Sequence, residues 1–167
     1  PYRMIFILLG FLCIVSSTPG IASQQSQQLT QDEFSKELSK AYIQNDDQLI
    51  ISLISDHRLF VKPFINGLIS ESISKELNGK TTESKQTLEM AEKAAASFEI
   101  IYGEKSLMIA VNYLTVWSKE QKEKKLFADS LYALGTTFRV NQPEKAIEIY
   151  QQALNFYPGI FQVLVFQ

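Results

Sequence analysis

A chain of 167 residues, 46% apolar and 20% charged, is long enough for one ordinary domain and too apolar for a disordered polymer. Its net charge of −2, with Lys and Glu interspersed, gives no long-range pull towards nucleic acid or anionic lipid, so neither is an expected partner. The five prolines and seven glycines fall mostly between periodic runs, which favours helices throughout.

The opening stretch "PYRMIFILLGFLCIVSSTPGIASQQ" predicts a secretory signal over residues 1–23. Arg3 precedes the apolar run Ile5–Val15, which matches the core of a signal and falls short of the about 20 residues a spanning helix needs. Pro19-Gly20 and the small residues Ala22 and Ser23 then suit cleavage, and residues 24–29 form a polar linker. The expected product is exported, periplasmic or extracellular, with no stable membrane span after cleavage. Leu12 before Cys13 and Gly10 three places back do not suit lipidation, so the mature chain would carry no cysteine and rely on packing alone. Pro1 in place of methionine points to an incomplete reading of a longer gene, with Met4 as the other start.

From residue 30 onward apolar residues recur at three- and four-residue spacing, predicting an all-α fold of seven helices. Thr30-Gln-Asp-Glu33 is a capping box that opens the first, with Phe34, Leu38, Ala41 and Tyr42 on one face. Asp46 or Asp47 caps a short second helix carrying Leu49, Ile50, Leu53 and Ile54. The third begins near His57–Leu59, holds Pro63 in about its first turn, buries Val61, Phe64, Leu68, Ile73 and Leu77, and ends at Asn78-Gly79.

The fourth is expected from about Thr82 to Tyr102, with Leu88, Ala91, Ala94, Ala95, Phe98 and Ile101 inward and Gly103 as its stop. A short apolar fifth runs to about Trp117. Ser118-Lys-Glu-Gln121 is a second capping box, opening a sixth helix to about Val140. Its charged start, "SKEQKEKK" (Ser118–Lys125), is expected to be a solvated face. Pro143 starts the seventh, which ends near Tyr157. Short connections make these antiparallel hairpins.

The stretch "LYALGTTFRVNQPEKAIEIYQQALNFYP" follows the tetratricopeptide pattern: Leu131 in the Trp place, then Leu134, Gly135, Phe138, Ala146, Tyr150, Ala153 and Pro158. Gly135 and Ala146 lack bulk, so two helix axes can approach; Leu134, Phe138 and Tyr150 fill the groove, and Pro158 closes the second helix. The chain thus resembles a tetratricopeptide repeat protein, a family of helical hairpins stacked as an α-solenoid. An upstream hairpin reads as a degenerate copy, with Ile73, Ser74, Leu77, Thr87, Ala91 and Ala94 at the matching places. Residues 30–117 then form an N-terminal helical region containing that copy, and 118–159 the better-matched hairpin. The uncharged end "GIFQVLVFQ" does not suit another amphipathic helix, so 160–167 are expected to be a truncated or non-native tail.

Three stretches, "DHRLFVKPFINGLISESI", "EMAEKAAASFEIIYGEKSL" and "KEKKLFADSLYALGTTF", resemble the N-terminal region of exported bacterial tetratricopeptide proteins. Many of those carry a C-terminal CHAT domain, a caspase-like peptidase fold with a Cys/His pair, which this resemblance places beyond Gln167.

Chemistry is not legible in the residues present. The single histidine, His57, follows Asp56 and suits a helix start; no thiol would remain to pair with it after processing. No ligand spacing suits zinc, and the glycines are isolated rather than phosphate-cradling, so no metal, cofactor or catalytic residue is expected. Asp32-Glu33 and Asp46-Asp47 complement helix dipoles. The family resemblance implies a groove lined by the first helix of each hairpin. Opposite the packing side, Asp129, Tyr132, Thr136 and Arg139 share one stripe of the sixth helix, a candidate peptide-binding face. The expected function is a non-catalytic, exported scaffold for a protein or peptide partner; the alternative is the regulatory front of a longer CHAT-type peptidase.

Expressed with its native start in a bacterium, the protein should lose 22 or 23 residues and leave the cytoplasm, as N-terminal sequencing and intact mass would show. An unprocessed product that pellets with membranes would refute the signal.

Overall fold

The computed structural model describes residues 29–157. The expected signal (1–23), nearly all of the 24–29 linker, Pro158 and the 160–167 tail lie outside the described residues. Seven helices take up 84% of what is described, with no strand there, so the all-α expectation holds. They are α1 (Gln31–Gln44), α2 (Asp47–Asp56), α3 (Arg58–Leu77), α4 (Thr81–Tyr102), α5 (Ser106–Leu114), α6 (Lys119–Phe138) and α7 (Pro143–Phe156). Among the described residues no helix is long and apolar enough to cross a membrane.

Local chemistry sets the helix ends. At α1 the Thr30 hydroxyl oxygen accepts from the Glu33 amide at 3.3 Å, and the Glu33 carboxylate accepts from the Thr30 amide at 2.9 Å. This reciprocal bonding holds Glu33's carboxyl below the usual range, chiefly through the Thr30 backbone amide. The same box recurs at α6 between Ser118 and Gln121. Asp46, rather than Asp47, caps α2 by accepting from the Leu49 amide at 3.0 Å. Gly103 ends α4 at φ +69°, a left-handed conformation that glycine adopts without a Cβ penalty.

Two boundaries differ from the sequence expectation. The fifth helix stops at Leu114, because Thr115 to Trp117 turn the chain towards the Ser118 cap. Pro63 is the sixth residue of α3, not in its first turn. The Leu59 carbonyl thereby loses its helical donor, but Leu59 is 85% exposed, so water can supply one. His57 stands at the start of α3 without capping it through its side chain; its ring stacks on Phe60 and meets Phe34 edge-on.

Burial follows the predicted stripes of α1 to α4, and α5 adds Leu107, Ala110, Val111 and Leu114. Phe34, Leu38, Ile54, Val61, Ile65, Ile69, Ile73, Phe98 and Val111 form the centre of one core. Ala91, Ala94 and Ala95, all fully buried, let α4 lie close to its neighbours. Two buried serines bond α3 to α4 reciprocally: Ser72 Oγ donates to the Ser84 carbonyl at 3.0 Å, and Ser84 Oγ donates to the Ser72 carbonyl at 2.8 Å. Ser74, expected in the glycine's place, is only half-buried.

The two expected hairpins are not packed as a simple tandem pair. Contacts climb α6 while descending α3: Lys122 meets Glu76, and Lys125 and Asp129 meet Ser70. The two helices therefore run in opposite senses. In a tandem array of two-helix units, two reversals separate equivalent helices and leave them parallel. Here α5 adds a third reversal, so α3–α4 and α6–α7 are both antiparallel hairpins but are not related as consecutive copies.

Within α6–α7, a Cβ built on Gly135 would stand 2.6 Å from Tyr150 Cε1, so this position sets the spacing of the two helices. Ala146 and Ala153 are buried on the facing side of α7. Gly135→Ala gains about 1 kcal/mol of helix propensity but should lose about 1–3 kcal/mol to overpacking against Tyr150. Urea melts should therefore show net destabilisation in the wild-type background and a sign change in Tyr150→Ala. The same sign in both backgrounds would refute the assigned contact.

Tyr42 packs α1 against α4 and donates to Ser97 Oγ at 3.3 Å. Burial pushes its phenol up to about 12, against the partial offset of the Ser97 bond. The unfolded chain then binds fewer protons than the folded one between the ordinary tyrosine value and about 12, so stability falls as pH rises through that window. Denaturant midpoints should show this slope, and Tyr42→Phe should flatten it; an unchanged slope would place Tyr42 outside the effect.

Candidate functional site

The predicted stripe on α6 divides in two. Tyr132, Thr136 and Arg139 are exposed, as expected of an open face, with Tyr132 retaining 42% of its surface. Tyr132 lies against Tyr150 with ring centroids 5.2 Å apart, and the Tyr150 hydroxyl donates to Thr136 Oγ1 at 3.2 Å. Tyr150 thus belongs to this face as well as to the packing under Gly135. Two tyrosines, a threonine and a cation form a surface of mixed apolar and hydrogen-bonding character.

Asp129 departs from that face. It is turned under α3, where its Oδ1 and Oδ2 accept from Lys125 Nζ at 2.7 and 2.6 Å. Oδ2 also accepts from Ser70 Oγ at 2.5 Å, and Oδ1 from the Tyr157 hydroxyl at 2.8 Å. Helical spacing alone placed Asp129 with Thr136, seven residues on. What separates them is α3, which covers the stripe at Asp129 and no longer covers it at Thr136.

Lys125 is the residue the sequence concealed. It sits in the run expected to be solvated, yet it is 1% exposed. Its Nζ donates to Asp129 and, at 3.1 Å, to Ser70 Oγ, and lies 5.7 Å from the Tyr157 ring centre. Burial pulls the ammonium below the usual lysine range, with Asp129 acting in the opposite direction. Burial also pushes the Tyr157 phenol up, reinforced by the charge of Asp129. Lys122 also leaves the solvated face, pairing with Glu76 of α3, whereas Lys119 with Glu123 and Lys124 with Glu120 make exposed four-residue pairs. The only local clue was the Lys125/Asp129 four-residue spacing, which an exposed pair shares.

The packing residues also separate. Gly135, Ala146 and Ala153 are buried and Leu131 packs partly against the main core. Phe138 is half-buried beneath Lys145, whose Nζ lies 3.9 Å from the ring centre. Leu134 is the correction: it is 46% exposed, because among the described residues no element covers that side of it. Phe127 and Phe156, with ring centroids 4.8 Å apart, are exposed as well.

Among the described residues no group of three or more His, Cys, Asp or Glu is placed to hold a metal ion. One shallow hollow of about 540 Å³ lies between α1, α3 and α4, where Ile43, Leu68 and Met90 stand beside Lys75, whose ammonium is already bonded to Glu71 and Thr87. No protein-family model, curated protein or solved structure matches the chain significantly.

Proposed function

We propose that this chain is a non-catalytic helical-repeat scaffold, exported to the periplasm or cell exterior, that binds a protein or peptide partner. The observation that carries the proposal is the exposed group Tyr132, Thr136 and Arg139, with half-buried Tyr150 beside it, on one side of α6–α7. Tyr and Arg supply large contact area and multiple donors, and are the residues over-represented where interfaces concentrate their energy. The hairpin beneath them holds the face rigid, because Tyr150 is fixed both by Gly135 and by Thr136. The buried Gly135, Ala146 and Ala153 support a tetratricopeptide-type hairpin here. The three stretches similar to CHAT-associated proteins support the second reading, in which the same scaffold fronts a longer peptidase polypeptide.

A displayed-peptide selection against the purified protein tests the face directly. Peptides recovered should bind the Tyr132→Ala/Arg139→Ala variant at least about tenfold more weakly, since each truncation at an interface anchor costs about 1–2 kcal/mol or more. Helical circular dichroism should be unchanged. Undiminished binding would move the interface elsewhere, and loss of helicity would show these residues to be structural.

A further inference from the structure

The α6–α7 hairpin meets the rest of the chain mainly across α3, and the polar groups at that seam are distributed unevenly between its two sides. Lys125, Asp129 and Tyr157, which bond one another, all belong to the hairpin side. On the α3 side the single Ser70 hydroxyl hydrogen, directed to Asp129, has the Asn66 carbonyl of its own helix within reach at 3.0 Å as an alternative acceptor. Separation of the two sides would therefore leave each of these groups a partner it already has. The bonds that cross include the Ser70 contacts and the Lys122–Glu76 pair at 2.7 Å, whose carboxylate is solvent-exposed. Apolar contact across the seam rests on small or partly buried residues, Ala128, Ala153, Leu126 and Leu131, together with Tyr157.

We propose that α6–α7 is a separately opening unit, and that the pair formed by buried Lys125 and partly buried Asp129, carried on the hairpin itself, biases it towards opening. An ion pair that crosses a seam resists opening, because parting it strands two charges. A pair carried on one side does the reverse: closure dehydrates it and opening returns it to water with its partner still in place. The hairpin is thus held by shape and by Ser70 and Glu76, while the cost of dehydrating Lys125 and Asp129 favours release. Opening uncovers the Ser70–Leu77 flank of α3 without unfolding the α1–α5 core.

Native-state hydrogen exchange on the full chain tests this. Amides in the middle of α6 and α7, such as those of Ala128 and Ala153, should exchange through one shared opening, at least about tenfold more often than those of Ile69 and Ala94. Asp129→Asn leaves the Lys125 ammonium without its carboxylate, and should raise hairpin exchange at least about tenfold with α3–α4 exchange unchanged. Lys125→Met/Asp129→Leu removes the dehydration cost and should slow hairpin exchange by about tenfold, which a stabilising pair would not do. Should Asp129→Asn fail to fold, the double variant still tests the proposal. Equal exchange free energies for hairpin and body in the wild type, or faster hairpin exchange in the double variant, would overturn it.

Discussion

Helices pack at about 8–10 Å between axes, and at the near end of that range no side chain larger than a few atoms fits between them. This chain meets the limit in three chemically different ways. At Ser72 and Ser84 the intervening groups bond reciprocally to the opposite backbone, so the approach satisfies its own polar atoms. Along α4 the buried alanines simply leave the space empty for neighbours such as Phe98 and Ile69 to fill. At Gly135 the ring of Tyr150 occupies what would be the Cβ position. The described residues contain no cysteine, so these approaches and the apolar side chains around them hold the fold.

From that packing follows the central place of α3. It meets α1, α2, α4, α5 and α6, and both the main core and the hairpin seam lie along it. Because α5 adds a reversal, the hairpin α6–α7 reaches α3 in the opposite sense from a consecutive repeat, and it brings its own polar groups to the contact. A buried ion pair contributes little net stability once its dehydration is included, whereas an apolar pair of the same volume would often do better. Lys125 and Asp129 are therefore poor candidates for the source of stability. Their hydrogen bonds to Ser70 and from Tyr157 instead fix the register at which the hairpin seats.

The same seam separates what binds from what packs. Of one helical stripe, Asp129 is drawn under α3, while Thr136 emerges to accept from Tyr150. Leu134, which matched a packing position by pattern, stands exposed, because a residue is buried only if a neighbouring element arrives on its side. Similarly, Lys119 and Lys125 belong to one charged run, but the six-residue step between them turns one outward and the other towards α3.

The sequence by itself determined the number of helices, both capping boxes and the inward stripes of α1 to α4, and narrowed the α2 cap to Asp46 or Asp47. Each of these depends on residues within a turn or two of one another, where side-chain reach and helical periodicity leave few alternatives. Gly135 and the alanines were legible for a related reason: absence of bulk implies close approach whatever the partner. Tertiary structure alone decided that α6 opposes α3, that Lys125 is buried, that Asp129 leaves the open face, and that Leu134 remains uncovered. Those outcomes depend on groups 46 to 59 residues apart, such as Glu76 with Lys122 and Ser70 with Asp129. No local pattern encodes such pairings, because the same lysine, aspartate or leucine is equally compatible with solvent until another helix is placed against it.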